Sequence, residues 1–287
     1  MSSKKIKKFF WKIFHYSDYK RFKKLLAREP IRENIRSGLK FGYYGCTNNQ
    51  VEETKDHVNL LWEFQWKPID QVIENIRKAK MDTVLDLYHQ LFLNPEPNNI
   101  KLDPNSATRV RVLFNRLRQE GLLKYIKVLY PIDEPNLPGQ TLTEKAIEEI
   151  TSLVRIVASE YEELKGVKLA CIYAAKHQIV GMRFYDIVGL DDYDKTAEEL
   201  FFPELGEYDS KIMKYLQPHQ KVIVVPGGFG KYKQSPKEFI NWASNNERAY
   251  GVVCFIWEGN QFEGGGIKDN GMANIYRKYG KIIISKI

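Results

Sequence analysis

Two adjacent carboxylates close the segment Val128–Asn136, VLYPIDEPN, where an apolar run stops at Asp133 and Glu134 and a proline follows. Paired carboxyl groups can divide a reaction between them: one kept protonated gives a proton to a leaving oxygen, and an ionised partner acts as base, nucleophile or electrostatic support. Other apolar runs end in the same style. Tyr44 closes KFGYY, Glu63 follows Trp62, Tyr88 and His89 follow VLDL, and Tyr173 closes ACIY. Asp191 and Asp192 follow IVGL with Tyr193 behind them, and Glu258 follows Trp257 in FIWEG. Acids and aromatic rings gathered in one place suit a saccharide, because ring faces stack on the C–H faces of a sugar while carboxylates handle its hydroxyls and glycosidic oxygen.

Each of these residues also has a plain reading. Asp-Glu-Pro alone is an ordinary turn former, Asp191-Asp192 can cap a loop, and a histidine such as His89 is commonly a hydrogen-bonded structural residue. His57, His177 and His219 keep no metal-ligand spacing with the acids, so neither a metal nor another cofactor is expected.

The elements that would position these residues are strands. From residue 40 onward, short runs rich in β-branched and aromatic residues alternate with helical periods, the sequence form of repeated βα units. The runs are 40–45, 57–64, 83–88, 125–132, 168–173, 184–190, 221–225 and 252–257, and helices are expected over 69–79, 107–120, 142–164, 210–216, 236–244 and 272–278. Runs such as KVIVVP are apolar throughout, as parallel strands covered on both faces require. The repeat count, the lack of a glycine-rich phosphate loop after the first strand, and polar residues at nearly every strand end favour a closed (β/α)8 TIM barrel over an open doubly wound sheet. In that barrel the carboxyl ends of the strands converge on one pocket.

With strands and motifs in place, the chain resembles the TIM-barrel glycoside hydrolase superfamily. The likeness rests on Asp-Glu-Pro at the end of the fourth strand, IVGLDDYD after the sixth and FIWEG at the end of the eighth, within residues 40–280. It implies that Glu134 is the general acid. Many retaining members carry a nucleophilic glutamate at the end of the seventh strand, where this chain reads VVPGGFG. A second carboxylate must then come from Glu258, placed first because its strand lies across the barrel, or from Asp191, Asp192 or Glu63. A further mechanism implied by the resemblance is that of N-acetylhexosaminidases, in which Asp133 orients the substrate's acetamido group beside Glu134. Tyr44, Glu63, Tyr88, His89, Tyr173, Asp191, Asp192 and Trp257 are the expected substrate contacts.

Two other functions remain open at this point. A phosphosugar lyase or isomerase could use Gly227-Gly228-Phe229-Gly230 as a phosphate cradle with Lys231 nearby, and a non-catalytic barrel could bind saccharide or a protein partner.

Charge is distributed unevenly. The net charge is +8, but residues 1–40 hold thirteen Lys or Arg against three acids, leaving 31 against 33 in the rest. A near-neutral body argues against a nucleic-acid partner. Ile6, Phe9, Phe10, Ile13 and Phe14 recur among lysines, so residues 1–37 form a basic amphipathic segment ahead of a barrel domain spanning 38–287. Residues 4–26 would make peripheral membrane contact or close the bottom of the barrel. Lys12 interrupts any signal-peptide core, no segment reaches about 20 apolar residues, and the odd cysteine count (Cys46, Cys171, Cys254) suggests reduced thiols, so a cytoplasmic or membrane-peripheral protein is expected.

Overall fold

The structure, a computed structural model, describes residues 35–46, 50–63, 68–92, 100–138, 142–195, 199–200, 208–259 and 263–286. Eight parallel strands follow one another around a closed barrel: β1 Lys40–Cys46, β2 Leu60–Glu63, β3 Asp82–Asp86, β4 Ile126–Tyr130, β5 Lys168–Ala174, β6 Ile187–Asp191, β7 Lys221–Val224 and β8 Ala249–Cys254. Gly42 of β1 pairs with Leu60 of β2 on one side and with Val253 of β8 on the other, which closes the ring. The described helices are α1 Gln50–Thr54, α2 Ile69–Ala79, α3 Tyr88–Leu91, α4 Ser106–Gln119, α5 Glu144–Ser159, α6 Pro236–Asn245 and α7 Ala273–Ile284. This is the (β/α)8 barrel expected from the alternation of apolar runs and helical periods.

Local chemistry explains the helix ends. The Thr143 hydroxyl accepts from the Ala146 amide at 3.2 Å to open α5, and Ser235 caps α6 ahead of Pro236 in its first turn. Helix α5 then buries Ile147, Ile150, Val154 and Val157, one apolar stripe of period 3.6. The helix expected over 142–164 therefore stops at Ser159, followed by a separate 3-10 turn at Glu162–Leu164. The helix expected over 210–216 is instead a π-type turn, Tyr208–Ile212, and a 3-10 turn, Met213–Tyr215. Pro218 disfavours helical backbone in the residue before it, and the Tyr208 phenol, bonded to the Leu190 and Ile223 carbonyls, fixes the start.

The interior holds Leu60, Val84, Val128, Ala170, Ile172, Ile187, Ile223 and Val253, with Tyr44, Trp62 and Tyr130 completing it toward the carboxyl ends. The alternate residues Leu61, Leu85 and Leu129 are equally buried, on the face that turns to the helices. Outside, exposed Arg–carboxylate pairs join neighbouring elements: Arg77 with Glu120 (2.8 Å), Arg116 with Asp70 (2.6 Å), Arg111 with Glu160 (2.6 Å) and Arg118 with Glu163 (2.8 Å). Cys171 and Cys254 are buried free thiols. Residues 1–34 of the basic amphipathic segment, and residues 93–99 and 201–207, lie outside the described residues. Among the described residues no helix is long and apolar enough to cross a membrane.

Candidate active site

At the carboxyl ends of β4 and β6 three acids meet. Asp133 and Glu134 leave β4 after Pro131 and Ile132, and Asp191 is the last residue of β6, on the same inward parity as Ile187. Glu134 shares a side-chain hydrogen bond with Asp191 and feels the charge of Asp133. The Tyr193 phenol donates to Asp191 Oδ2 at 3.1 Å. Phenols from two strands, Tyr44 and Tyr130, donate to Asp133 Oδ1 at 2.5 and 2.6 Å.

Burial and the two neighbouring carboxyls push Glu134 up to about 10, while burial pushes Asp191 up to about 6 against the opposing hydrogen bonds from Glu134 and Tyr193. At neutral pH the pair therefore holds one proton, which the more strongly raised Glu134 favours. Burial also raises Asp133, and its two phenol donors oppose that rise.

The backbone contributes as well. Glu134 sits at φ 42°, left-handed for a residue that is not glycine. Its amide donates to the Ile172 carbonyl at 3.1 Å, and its carbonyl accepts from Leu137 at 3.0 Å. Two residues on, Asn136 clamps the loop to β5, donating to the Ala174 carbonyl at 2.8 Å and accepting from the Ala174 amide at 3.0 Å. The strained turn is thus tied to the next strand on both sides of the acid.

An aromatic arc surrounds the acids. Trp62 packs on Tyr130 (4.9 Å between ring centres) and on Tyr44 (4.8 Å), Tyr44 on Phe255 (5.5 Å), and Phe255 lies stacked on Tyr193 (5.4 Å). Tyr88 is half-buried, and burial together with Asp133 and Asp86 raises its phenol, which places it beside the same acids.

The remaining expected contacts stand elsewhere. Glu63 is fully buried on the outer face of β2, where Asn75 of α2 donates to its two oxygens at 3.0 and 3.2 Å. Tyr173, also fully buried, donates to the Val180 carbonyl at 2.9 Å. Trp257 is fully buried against Tyr43 and gives its indole N–H to Glu53 at 2.9 Å. None of the three has surface for a ligand. Glu258, the first-placed second carboxylate, accepts from Gln50 (3.4 Å) and pairs with Lys268 (3.8 Å) at the rim. Asp192 is buried and accepts from the Asp194 amide at 3.3 Å, bracing the loop after β6. His89 is exposed at the edge of the Tyr88 ring.

Sequence reading missed Tyr130, Phe255 and Asn136 as parts of this site. Strand parity was the available signal for the two rings, since Tyr130 shares a face with Val128 and Phe255 with Val253.

The GGFG segment has another task than holding phosphate. The amides of Gly227, Gly228 and Gly230 already donate to Gln234 Oε1 (2.6 Å), the Phe255 carbonyl (2.6 Å) and the Gly265 carbonyl (2.8 Å). A Cβ on Gly227 would stand 2.7 Å from the Tyr193 ring. The glycine lets the loop press against the tyrosine that holds Asp191. Among the described residues no group of three or more His, Cys, Asp or Glu is disposed to hold a metal ion. A cavity of about 380 Å³ lined by Asn136, Leu142, Thr143, His177, Gln178 and Val180 adjoins the loop that carries Glu134.

No family model and no curated protein sequence matches the chain. Solved structures do share its fold. A β-glucuronidase from an uncultured Clostridium species has a TM-score of 0.52 at 11% identity, covering 85% of this chain and 50% of its own. A GH2 β-galacturonidase from Eisenbergiella tayi, bound to galacturonate, has a TM-score of 0.51 at 8% identity, covering 86% and 51%. A GH113 β-1,4-mannanase has a TM-score of 0.51 at 9% identity, covering 86% of this chain and 99% of its own. The chain spans about half the length of the first two and nearly all of the mannanase. At these identities the likeness is one of fold alone.

Proposed function

We propose that this chain hydrolyses, or transfers at, a glycosidic bond of an oligo- or polysaccharide, with Glu134 as proton donor and Asp191 as the second carboxylate. The observation that carries this reading is the meeting of Glu134 and Asp191 at the carboxyl ends of β4 and β6, where this fold presents reactive groups and where burial and neighbouring carboxyls raise the glutamate above the aspartate. Tyr88, Tyr193 and Phe255, the half-buried rings around the acids, supply ring faces for a sugar, and the fold neighbours are glycosidases. The uronic acids of some neighbours are not carried over, because no described cation faces the three acids.

Carboxyls in contact are nearer the separation of about 5–5.5 Å usual for a retaining course than the roughly 6.5–9.5 Å of an inverting one, and a bound sugar would part them to lie between the two. Asp191 attacks the anomeric carbon as the bond to the leaving oxygen breaks, and that oxygen takes the proton from Glu134. The Asp191 ester is then opened by water, which returns a proton to Glu134 and frees the carboxylate.

The test is a panel of α- and β-aryl glycosides and oligosaccharides offered to wild type, Glu134→Gln and Asp191→Asn, with product anomers read by proton NMR. Cleavage with retention that both substitutions abolish is the expected result. Full activity in either variant overturns the assignment, and sugar binding without turnover in wild type favours a non-catalytic saccharide-binding barrel instead. The phosphosugar reading is disfavoured because the three glycine amides of the GGFG segment already have partners.

A further inference from the structure

Asp133 has no step of its own in that mechanism, yet two buried residues from separate strands are turned toward it. Tyr44 belongs to β1 and Tyr130 ends β4, three places further round the ring, and both phenols donate to the same atom, Oδ1, at 2.5 and 2.6 Å. The two phenol oxygens stand 3.3 Å apart. Trp62 of β2 packs on both rings, at 4.8 and 4.9 Å between centres, and all three side chains are buried, so neither hydroxyl can turn away to water.

A hydroxyl aimed at a carboxyl oxygen favours the ionised form, which accepts more strongly than the neutral acid. Burial alone would put a proton on Asp133, and the two donors oppose it. Asp133 immediately precedes Glu134, so its charge stands beside the proton donor. Asp191 stands there too, but it gives up its charge when it becomes an ester. Asp133 takes no part in bond making and keeps its charge through both steps.

We propose that Asp133 is the positioning residue of the acid: a carboxylate kept ionised by the Tyr44 and Tyr130 phenols, whose fixed negative charge holds the proton on Glu134. The inference deepens the glycosidase reading by naming what regulates its proton donor. The same charge makes Glu134 a stronger base toward the water of the second step. The titratable surroundings are consistent with a purely anionic effect. Glu134 meets Asp133 from its own loop and Asp191 from β6, and Cys171 of β5 and Tyr193 feel its charge. Asp133 acts in addition on Tyr44, Tyr130 and Tyr88 of α3. Burial raises these phenols and the thiol, which leaves them neutral at neutral pH. Among the described residues none of the groups acting on Asp133 or Glu134 is a cation.

The test reads protons directly and needs no substrate. Carboxyl carbons of aspartate and glutamate are labelled with carbon-13 in the full chain, assigned through their backbone resonances and titrated by NMR. In wild type, Asp133 is expected to be ionised at pH 7 while Glu134 is protonated. Asp133→Asn leaves an oxygen for the two phenols and should lower the Glu134 titration by about one to two pH units, with the alkaline limb of kcat/KM moving equally. Tyr44→Phe combined with Tyr130→Phe should place a proton on Asp133 at pH 7, and the same pair added to Asp133→Asn should not move Glu134 further. Side chains that only fill space would leave these titrations in place. A protonated Asp133 at pH 7 in wild type overturns the inference, as does a Glu134 titration that Asp133→Asn leaves unmoved. If the variants do not fold, the wild-type titration of Asp133 decides alone. An active glycosidase whose Glu134 is indifferent to Asp133→Asn sinks this inference only; an inactive protein with the expected titrations sinks the glycosidase reading and leaves the charge arrangement standing.

Discussion

Two parts of the molecule treat charge in opposite ways. On the helical belt, Arg111 and Arg118 of α4 meet Glu160 and Glu163 at 2.6 and 2.8 Å, in water and with matched geometry. At the mouth, Asp133, Glu134 and Asp191 crowd together with burial and one another as company. Exposed pairs are solvated whether or not they meet, so they contribute little to stability. Buried acids without cations oppose folding at neutral pH, and the same opposition keeps a proton on Glu134. The contrast places potential reactivity where the chain gives up stability, and leaves the solvated charges of the belt of little consequence for either.

The largest effect expected from breaking the contrast is on turnover. Glu134→Gln or Asp191→Asn should lower kcat/KM by about 10²–10⁴-fold. In wild type, kcat/KM should rise as pH passes the Asp191 value of about 6 and fall as it approaches the Glu134 value of about 10; Glu134→Gln should lose the alkaline limb. A profile unchanged by that substitution would place the proton elsewhere. Next in size is Gly227→Ala, which drives a methyl into the Tyr193 ring 2.7 Å away and moves the donor to Asp191. About a tenfold fall in kcat/KM with a native circular-dichroism spectrum is expected.

Stability should move the other way at the same acid. The folded carboxyl of Glu134 titrates near 10 and the unfolded one near 4.3. Between those values the folded state keeps a proton that the unfolded state releases, so wild-type stability declines as pH rises through the window. Glutamine does not titrate. Glu134→Gln should therefore be more stable by about 1–3 kcal/mol at pH 8 and should lose that advantage toward pH 4 in urea titrations. A comparable magnitude with opposite sign is expected where a buried acid does have a partner: Asn75→Ala removes both hydrogen bonds from α2 to Glu63 and should cost about 1–3 kcal/mol. The smallest effect belongs to the belt. Arg118→Ala should leave the melting temperature within about 2 °C, and any shift should vanish at high salt.

The barrel was legible because its repeating strands are apolar and its helices carry caps. The acids at the ends of β4 and β6 stood out as candidates only through their place after a barrel strand, since the same residues are ordinary turn formers elsewhere. What the sequence hid was which strand residues look inward. In a sheet covered on both sides, Tyr43 and Tyr44, or Trp62 and Glu63, are buried alike, and no polar–apolar alternation separates the face of the cavity from the face of the helices. Glu63, Tyr173 and Trp257 were credited to the mouth for that reason, and Tyr130 and Phe255 were passed over. Sequence spacing also says nothing of Gln50 and Lys268, distant from Glu258 in sequence and adjacent to it in space.

The left-handed backbone of Glu134 also bears on how this position would drift under selection. Glycine or asparagine adopts φ 42° with less strain, and neither brings a buried carboxyl. A library randomised at residue 134 and sorted only for heat tolerance should converge on those two residues, whereas a library sorted for catalysis should return glutamate. The divergence between the two pools would measure how strongly this residue is retained against the preferences of its own main chain.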